Sequence, residues 1–308
     1  MDASVRAVAI MAVIFAVSQL GALAMVSSAL GEEYQAFEDP NDPMIPLYYI
    51  IAIILFTFAI LYIIKKKRED VVRIIFIGSV SFTIFYVILI VATLFDTGII
   101  ALLASIGLTA VLAYYLVKKP EWYVVDATGI LVAVGVIGIL GISLNILPVL
   151  ILLIVLAAYD AISVYGTKHM VALADGVTEM KLPIILVIPK KKGYSYLDQK
   201  PLREQLEEGS EREAMFMGLG DVIIPGVLVA SAFYYLPDDA FLGLPGNLFV
   251  ALAALAGGLV GFSILMRYVL KGNPQAGLPL LNGGTVLGYI GAYLLAFQDL
   301  SLGISLPW

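Results

Sequence analysis

The chain has no cysteine in its 308 residues, a single histidine and only two tryptophans. The first absence excludes disulfides, thiol catalysis and cysteine-based metal sites. The second excludes a histidine metal cluster. Because His169 lies in a polar stretch, a Ser–His catalytic pair inside an apolar segment is excluded too. Charge is scarce as well: 14% of residues are Asp, Glu, Lys or Arg, against 61% hydrophobic. With a mean hydropathy of +0.99, this lies outside the composition of water-soluble domains. Long unbroken apolar runs, rather than short alternating strands, point to an all-α polytopic membrane protein and not to a transmembrane barrel. The acidic balance, a net charge of −6, gives no footprint for nucleic acid.

Nine apolar runs are present, each about 20 residues long, enough to cross roughly 30 Å of hydrocarbon. They cover residues 7–26, 45–64, 74–94, 98–117, 123–142, 147–165, 214–235, 248–265 and 280–297. The first follows Arg6, and its length suits a spanning helix better than a cleaved signal peptide. Numbered from a cytoplasmic N-terminus, alternate connections hold all 18 Lys and Arg residues. The opposite connections hold Glu32, Glu33, Glu38, Asp39, Asp42, Asp96, Asp238, Asp239 and Asp299, and no basic residue. The positive-inside rule therefore predicts a cytoplasmic N-terminus and an outside C-terminus.

Three regions follow: six helices in residues 1–166, a polar cytoplasmic connection in 167–212, and three helices in 213–308. Within the connection, residues 181–189 (KLPIILVIP) form a β-branched run bounded by prolines, which predicts a short strand. No partner strand is evident nearby. Such a segment either packs as a loop against helices or offers an edge to an extended peptide.

Two acids lie well inside the apolar runs, Asp160 in the sixth and Asp221 in the seventh, while Asp126 sits at the start of the fifth. An ionised carboxylate in a bilayer is costly and persists where it faces a partner or a water-filled cavity. Asp160 lies eight residues before Lys168 and Asp221 nine after Arg212. At about 1.5 Å per helical residue the two would sit level on antiparallel neighbours. Two carboxyl groups in one site share a proton, so one can activate water while the other polarises a carbonyl. A cation or proton site is the competing use of the same pair. Gly218 and Gly220 clear the approach to Asp221, and Pro225 denies the Asp221 carbonyl its helical donor. Tyr159 supplies a hydroxyl beside Asp160. Asp126, just after Trp122, suits a capping or hydrated hydrogen bond at the interface. Gly129, Gly135, Gly138 and Gly141, and the AALAGGLVG run of the eighth span, suit helix packing.

Tyr159-Asp160, then Gly218-Leu219-Gly220-Asp221, then Pro279-Leu280-Leu281 resemble, in order, the three motifs of the presenilin and signal peptide peptidase family of intramembrane aspartyl proteases. The family's third motif is Pro-Ala-Leu, so Leu280 departs from it. The resemblance extends over almost the whole chain and implies hydrolysis of peptide bonds inside transmembrane helices. By it, Asp160 and Asp221 are the catalytic pair. Tyr159, Gly218, Leu219, Gly220, Pro279, Leu280 and Leu281 shape the site and contact substrate. The strand residues Leu182, Ile184, Leu186 and Ile188 pair with an unwound substrate. The charge map matches the presenilin orientation and implies substrates whose N-terminus is outside. The connection between spans six and seven is too short for presenilin's large loop and its autoprocessing segment. A compact prokaryotic, archaeal-type homologue in the cell membrane is therefore expected. Its active site would face the cytoplasmic half, and it would act alone or as a homo-oligomer, without cofactor, metal or obligatory partner subunits.

Three rivals stand beside this reading. A cation channel or transporter would use the aspartates as ligands, but predicts inverted repeats that the sequence does not display. Prepilin peptidases share the GxGD motif but cut at the cytoplasmic boundary. A catalytically dead binding protein has no need of both aspartates.

Overall fold

The computed structural model describes residues 3–28, 30–66, 68–95, 98–167, 184–198, 213–271 and 275–304. Its helices are α1 (Ala3–Ser28), α2 (Ile45–Lys65), α3 (Glu69–Thr93), α4 (Ile99–Lys118), α5 (Trp122–Ser143), α6 (Ile146–Ile162), α7 (Leu219–Tyr235), α8 (Gly246–Leu270) and α9 (Leu278–Phe297). Among the described residues all but α7, which has 17 residues, are long and apolar enough to cross a membrane, α6 by continuing helically to Tyr165. The all-α polytopic architecture expected from the apolar runs is the one observed.

Helices that are apolar around their whole circumference can face both protein and lipid. The outer helix α2 buries only Pro46 and Ile60. The central helix α5 buries residues around its full girth, packing against α1, α3 and α7. Its glycines make this approach close, as their spacing suggests. A Cβ at Gly138 would lie 2.8 Å from the Met25 Cε, and one at Gly141 would stand 3.2 Å from the backbone of α7 at Ala230 and Ser231. The most extensive helix pair is α8–α9. There Gly257, Gly261, Gly284 and Gly288 bring backbone against backbone, the small-residue packing that replaces the hydrophobic effect inside a bilayer.

One short sheet interrupts the helical plan. Strand β1 (Ile185–Pro189) pairs antiparallel with β2 (Ala214–Gly218), Ile185 opposite Gly218 and Pro189 opposite Ala214. This corrects two expectations. The strand has a partner, and residues 214–218 are extended instead of opening the seventh span. An apolar run of five residues fits strand or helix equally by hydropathy; the ladder to β1 decides it. Of the predicted strand, residues 181–183 lie outside the described residues, and so does His169. A separate two-stranded hairpin, β3 (Ala240–Phe241) with β4 (Leu244–Pro245), joins α7 to α8. It turns through Leu242 and Gly243 in the left-handed region.

Candidate active site

Because β2 ends at Gly218 and α7 begins at Leu219, Asp221 lies in the first turn of its helix rather than midway along it. The depth drawn from a helical rise after Arg212 is therefore revised, since a strand advances about 3.3 Å per residue. Asp160 lies in the last turn of α6, which continues as a wider π turn over Ser163–Thr167. It is buried, 5% exposed, whereas Asp221 is partly exposed.

What joins them is the start of α9. Leu278 donates its N–H to Asp160 Oδ2 at 3.0 Å, and the Gly277 N–H is also directed at that carboxylate. The first N–H groups of a helix lack intrahelical partners. Gly277, at the N-cap, has no side chain with which to satisfy them. Asp160 thus caps α9 from another helix. Pro279 occupies the first turn of α9, where a missing N–H costs nothing. On its other side Gly277 faces Asp221: a Cβ there would lie 3.2 and 3.3 Å from the two carboxylate oxygens. A second tie holds the same helices together, as Asn282 Nδ2 donates to the Leu153 carbonyl of α6 at 2.9 Å.

The remaining motif residues divide. A Cβ at Gly218 would stand 3.5 Å from Asp221 Oδ2, whereas one at Gly220 would meet nothing within 4 Å. Gly218 clears space over the carboxylate, and Gly220 opens outward, not against α6. Leu219 and Leu281 are buried, Pro279 and Leu280 partly so, and Tyr159 is exposed beside Asp160. Leu186 and Ile188 are buried too, Leu186 lying against Gly129 of α5 together with Leu219. Ile184 packs beside Ile60 and Val72. Leu182 lies outside the described residues.

Gly277, Leu278 and Asn282 went unmarked in the sequence. An asparagine within an apolar helix was the one available signal, while a backbone N–H leaves none. Replacing Gly277 by Ala should lower the cleavage rate of a transmembrane peptide several-fold by crowding Asp221, with melting temperature nearly unchanged. Gly220→Ala should leave the fold and melting temperature unaltered, because its Cβ meets nothing within 4 Å. Steady-state kinetics beside thermal melts in detergent separate the two outcomes.

Asp126 has a definite role in the sheet. Buried to 5% exposure, it accepts the Val187 N–H at 2.7 Å through Oδ1. Five residues earlier, Glu121 accepts from the Ser195 hydroxyl and the Tyr196 N–H, each at 2.9 Å. The start of α5 therefore fastens residues 187–196, including Tyr196, which is fully buried. Asp126→Ala should orphan the Val187 N–H and cost on the order of 1–3 kcal/mol. Hydrogen exchange at the β1 amides reads that loss directly.

The hydrogen-bond phase of the sheet shows which edge is open. Leu219 donates to the Ile184 carbonyl and Lys190 to the Glu213 carbonyl, so alternate residues of β1 face β2. The other residues of β1 face α5, where Asp126 takes Val187. Among the described residues no third strand pairs with the other edge of β2, at Ala214, Phe216 and Gly218.

Two carboxylates on separate membrane helices flank the first turn of a third, an arrangement that an aspartyl protease could use. The chain belongs to the family described as signal-peptide peptidase, presenilin aspartyl protease, whose model matches residues 12–298. It is similar to two solved structures of a presenilin family intramembrane aspartate protease, in C222 and P2 crystal forms. To the first it is 30% identical with a TM-score of 0.69, covering 94% of this chain and 99% of that one. To the second it is 30% identical with a TM-score of 0.65, covering 93% and 97%. A mouse (Mus musculus) signal peptide peptidase is 30% identical over 129 residues, a stretch that spans 42% of this chain but only 30% of the mouse protein. The family and its solved members are intramembrane aspartyl proteases, and the channel or transporter reading finds no support among them.

Proposed function

We propose that this chain hydrolyses peptide bonds within transmembrane segments of substrate proteins, with Asp160 and Asp221 as the catalytic pair. The observation that carries the proposal is the shared turn of α9: Asp160 accepts the Leu278 N–H at 3.0 Å, and Gly277 lies over Asp221. Both carboxyl groups thus border one small space. One carboxylate takes a proton from water as its oxygen attacks the scissile carbonyl, and the other, protonated, donates to the carbonyl oxygen. The resulting gem-diol collapses with proton transfer to the leaving nitrogen. The pair titrates as a unit, so neither residue is permanently acid or base.

A helical substrate has its backbone bonded internally and must unwind before it can be cut. The open edge of β2 supplies replacement hydrogen bonds by strand addition, and it runs directly into Gly218 and Asp221. This reading moves the pairing edge from β1 to β2 and leaves Leu186 and Ile188 as the buried support beneath it. Tyr159, Gly220 and the Pro279–Leu281 turn border the substrate. The charge partition favours a cytoplasmic N-terminus, an active site toward the cytoplasmic half, and substrates with an outside N-terminus.

Purified protein in liposomes, given a labelled transmembrane peptide, should yield two products cut inside the apolar segment, identified by mass spectrometry. An intact peptide together with cation flux through the liposomes would overturn the assignment.

A further inference from the structure

A cavity of about 400 Å³, lined by neither Asp160 nor Asp221, opens between α1, the start of α5 and the end of β1. Its rim carries Arg6, Lys191 and Lys192 beside Trp122 and Tyr123, and its depth is walled by Ile10, Ile14, Ile130 and Ile188. Basic groups and amphipathic aromatics above an aliphatic slot match the profile of a bilayer from headgroup to acyl chain. Ile14 follows Arg6, and Ile130 follows Trp122, by eight residues, so the slot runs roughly 12 Å inward.

We propose that this groove is a binding site for one anionic glycerophospholipid. Its phosphodiester lies at the basic rim and an acyl chain lies along the isoleucines. The charges at the rim favour an anionic headgroup over a neutral one. Lys191 is paired with Glu213 at 2.8 Å, which leaves Arg6 and Lys192, both exposed, as the phosphate's attractants. Arg6 spends one Nη2 donor on the Lys190 carbonyl at 3.2 Å; the guanidinium has five N–H donors in all. That bond also fixes the rim against the end of β1. Asp126 borders the cavity as well. It lies four residues beyond Trp122, about 6 Å deeper; its Oδ1 is held by Val187 and its Oδ2 is buried with no hydrogen-bond partner among the described residues, so neither oxygen reaches the rim. Because Ile188 and Pro189 wall the slot, the bound lipid braces the strand pair that ends at Gly218.

The test uses the full chain and needs no proteolysis. Native mass spectrometry should show one retained phosphatidylglycerol, favoured about tenfold over phosphatidylcholine of the same acyl length. The double variant Arg6→Gln/Lys192→Gln should lose that preference, and Ala127→Trp, which fills the slot, should lose retention with the charges intact. Melting temperatures of both variants should match the parent. In nanodiscs, phosphatidylglycerol should slow hydrogen exchange at the β1 amides of the parent and not of the variants. Equal retention of the two lipids, or unchanged retention in both variants, overturns the proposal. Displacement by millimolar glycerol 3-phosphate does so too, because it would make this a soluble-phosphate site.

Discussion

Asp160→Asn and Asp221→Asn should each abolish cleavage of a transmembrane peptide, and neither should unfold the chain. Asparagine keeps the shape of the side chain but can neither take a proton from water nor deliver one to a carbonyl oxygen. A positioned acid or base is worth about 10²–10⁴-fold, and here both roles belong to one coupled pair, so either change should bring the rate to background. Asp160 offers a sharper control. Its Oδ2 caps α9 through Leu278, and an asparagine oxygen still accepts that bond. Asp160→Asn should therefore be inactive yet stable, whereas Asp160→Ala should also leave the Leu278 N–H unpaired, at a cost of about 1–3 kcal/mol. Product analysis by mass spectrometry and melting in the same detergent distinguish chemical from structural loss. Cleavage persisting in either asparagine variant would sink the two-aspartate mechanism.

Gly261→Val should disable the enzyme from a position that touches no carboxylate. Gly261 of α8 abuts the Leu280 carbonyl of α9, and its Cβ would lie 3.3 Å from the Leu281 Cα. Backbone cannot rotate aside as a long side chain can, so α9 must move outward. Overpacking of this kind costs typically about 1–3 kcal/mol. The same shift carries Leu278 away from Asp160 and Gly277 away from Asp221, so activity should fall further than stability alone requires. Gly283→Ala, on α9 itself, is the internal control, because a Cβ there meets nothing within 4 Å. Melts and cleavage rates of the two variants should diverge. A Gly261→Val enzyme as stable and active as the parent would mean that α9 is not held by this contact.

The two predictions draw on different kinds of information. Asp160 and Asp221 stand out in the chain because a charge in a long apolar run has no bland explanation. The helical architecture was equally legible, since apolar runs of spanning length admit few other structures in lipid. Residues 214–218 misled by the same criterion: Ala-Met-Phe-Met-Gly is as apolar as a helix start, and only pairing with β1 makes it a strand. The partner of Asp160 was invisible for another reason. It is a main-chain N–H, which every residue but proline carries.

By itself, then, the sequence determined the membrane-spanning helices, the two aspartates and the glycines that let helices approach, because each follows from the cost of placing a group in hydrocarbon. Tertiary structure alone decided that β1 and β2 pair and which residues of β2 face away from β1. It also decided that Asp126 holds β1 and that the first turn of α9 joins the carboxylates. Those are matters of which backbone donor meets which acceptor across distant segments, and hydropathy carries no record of that.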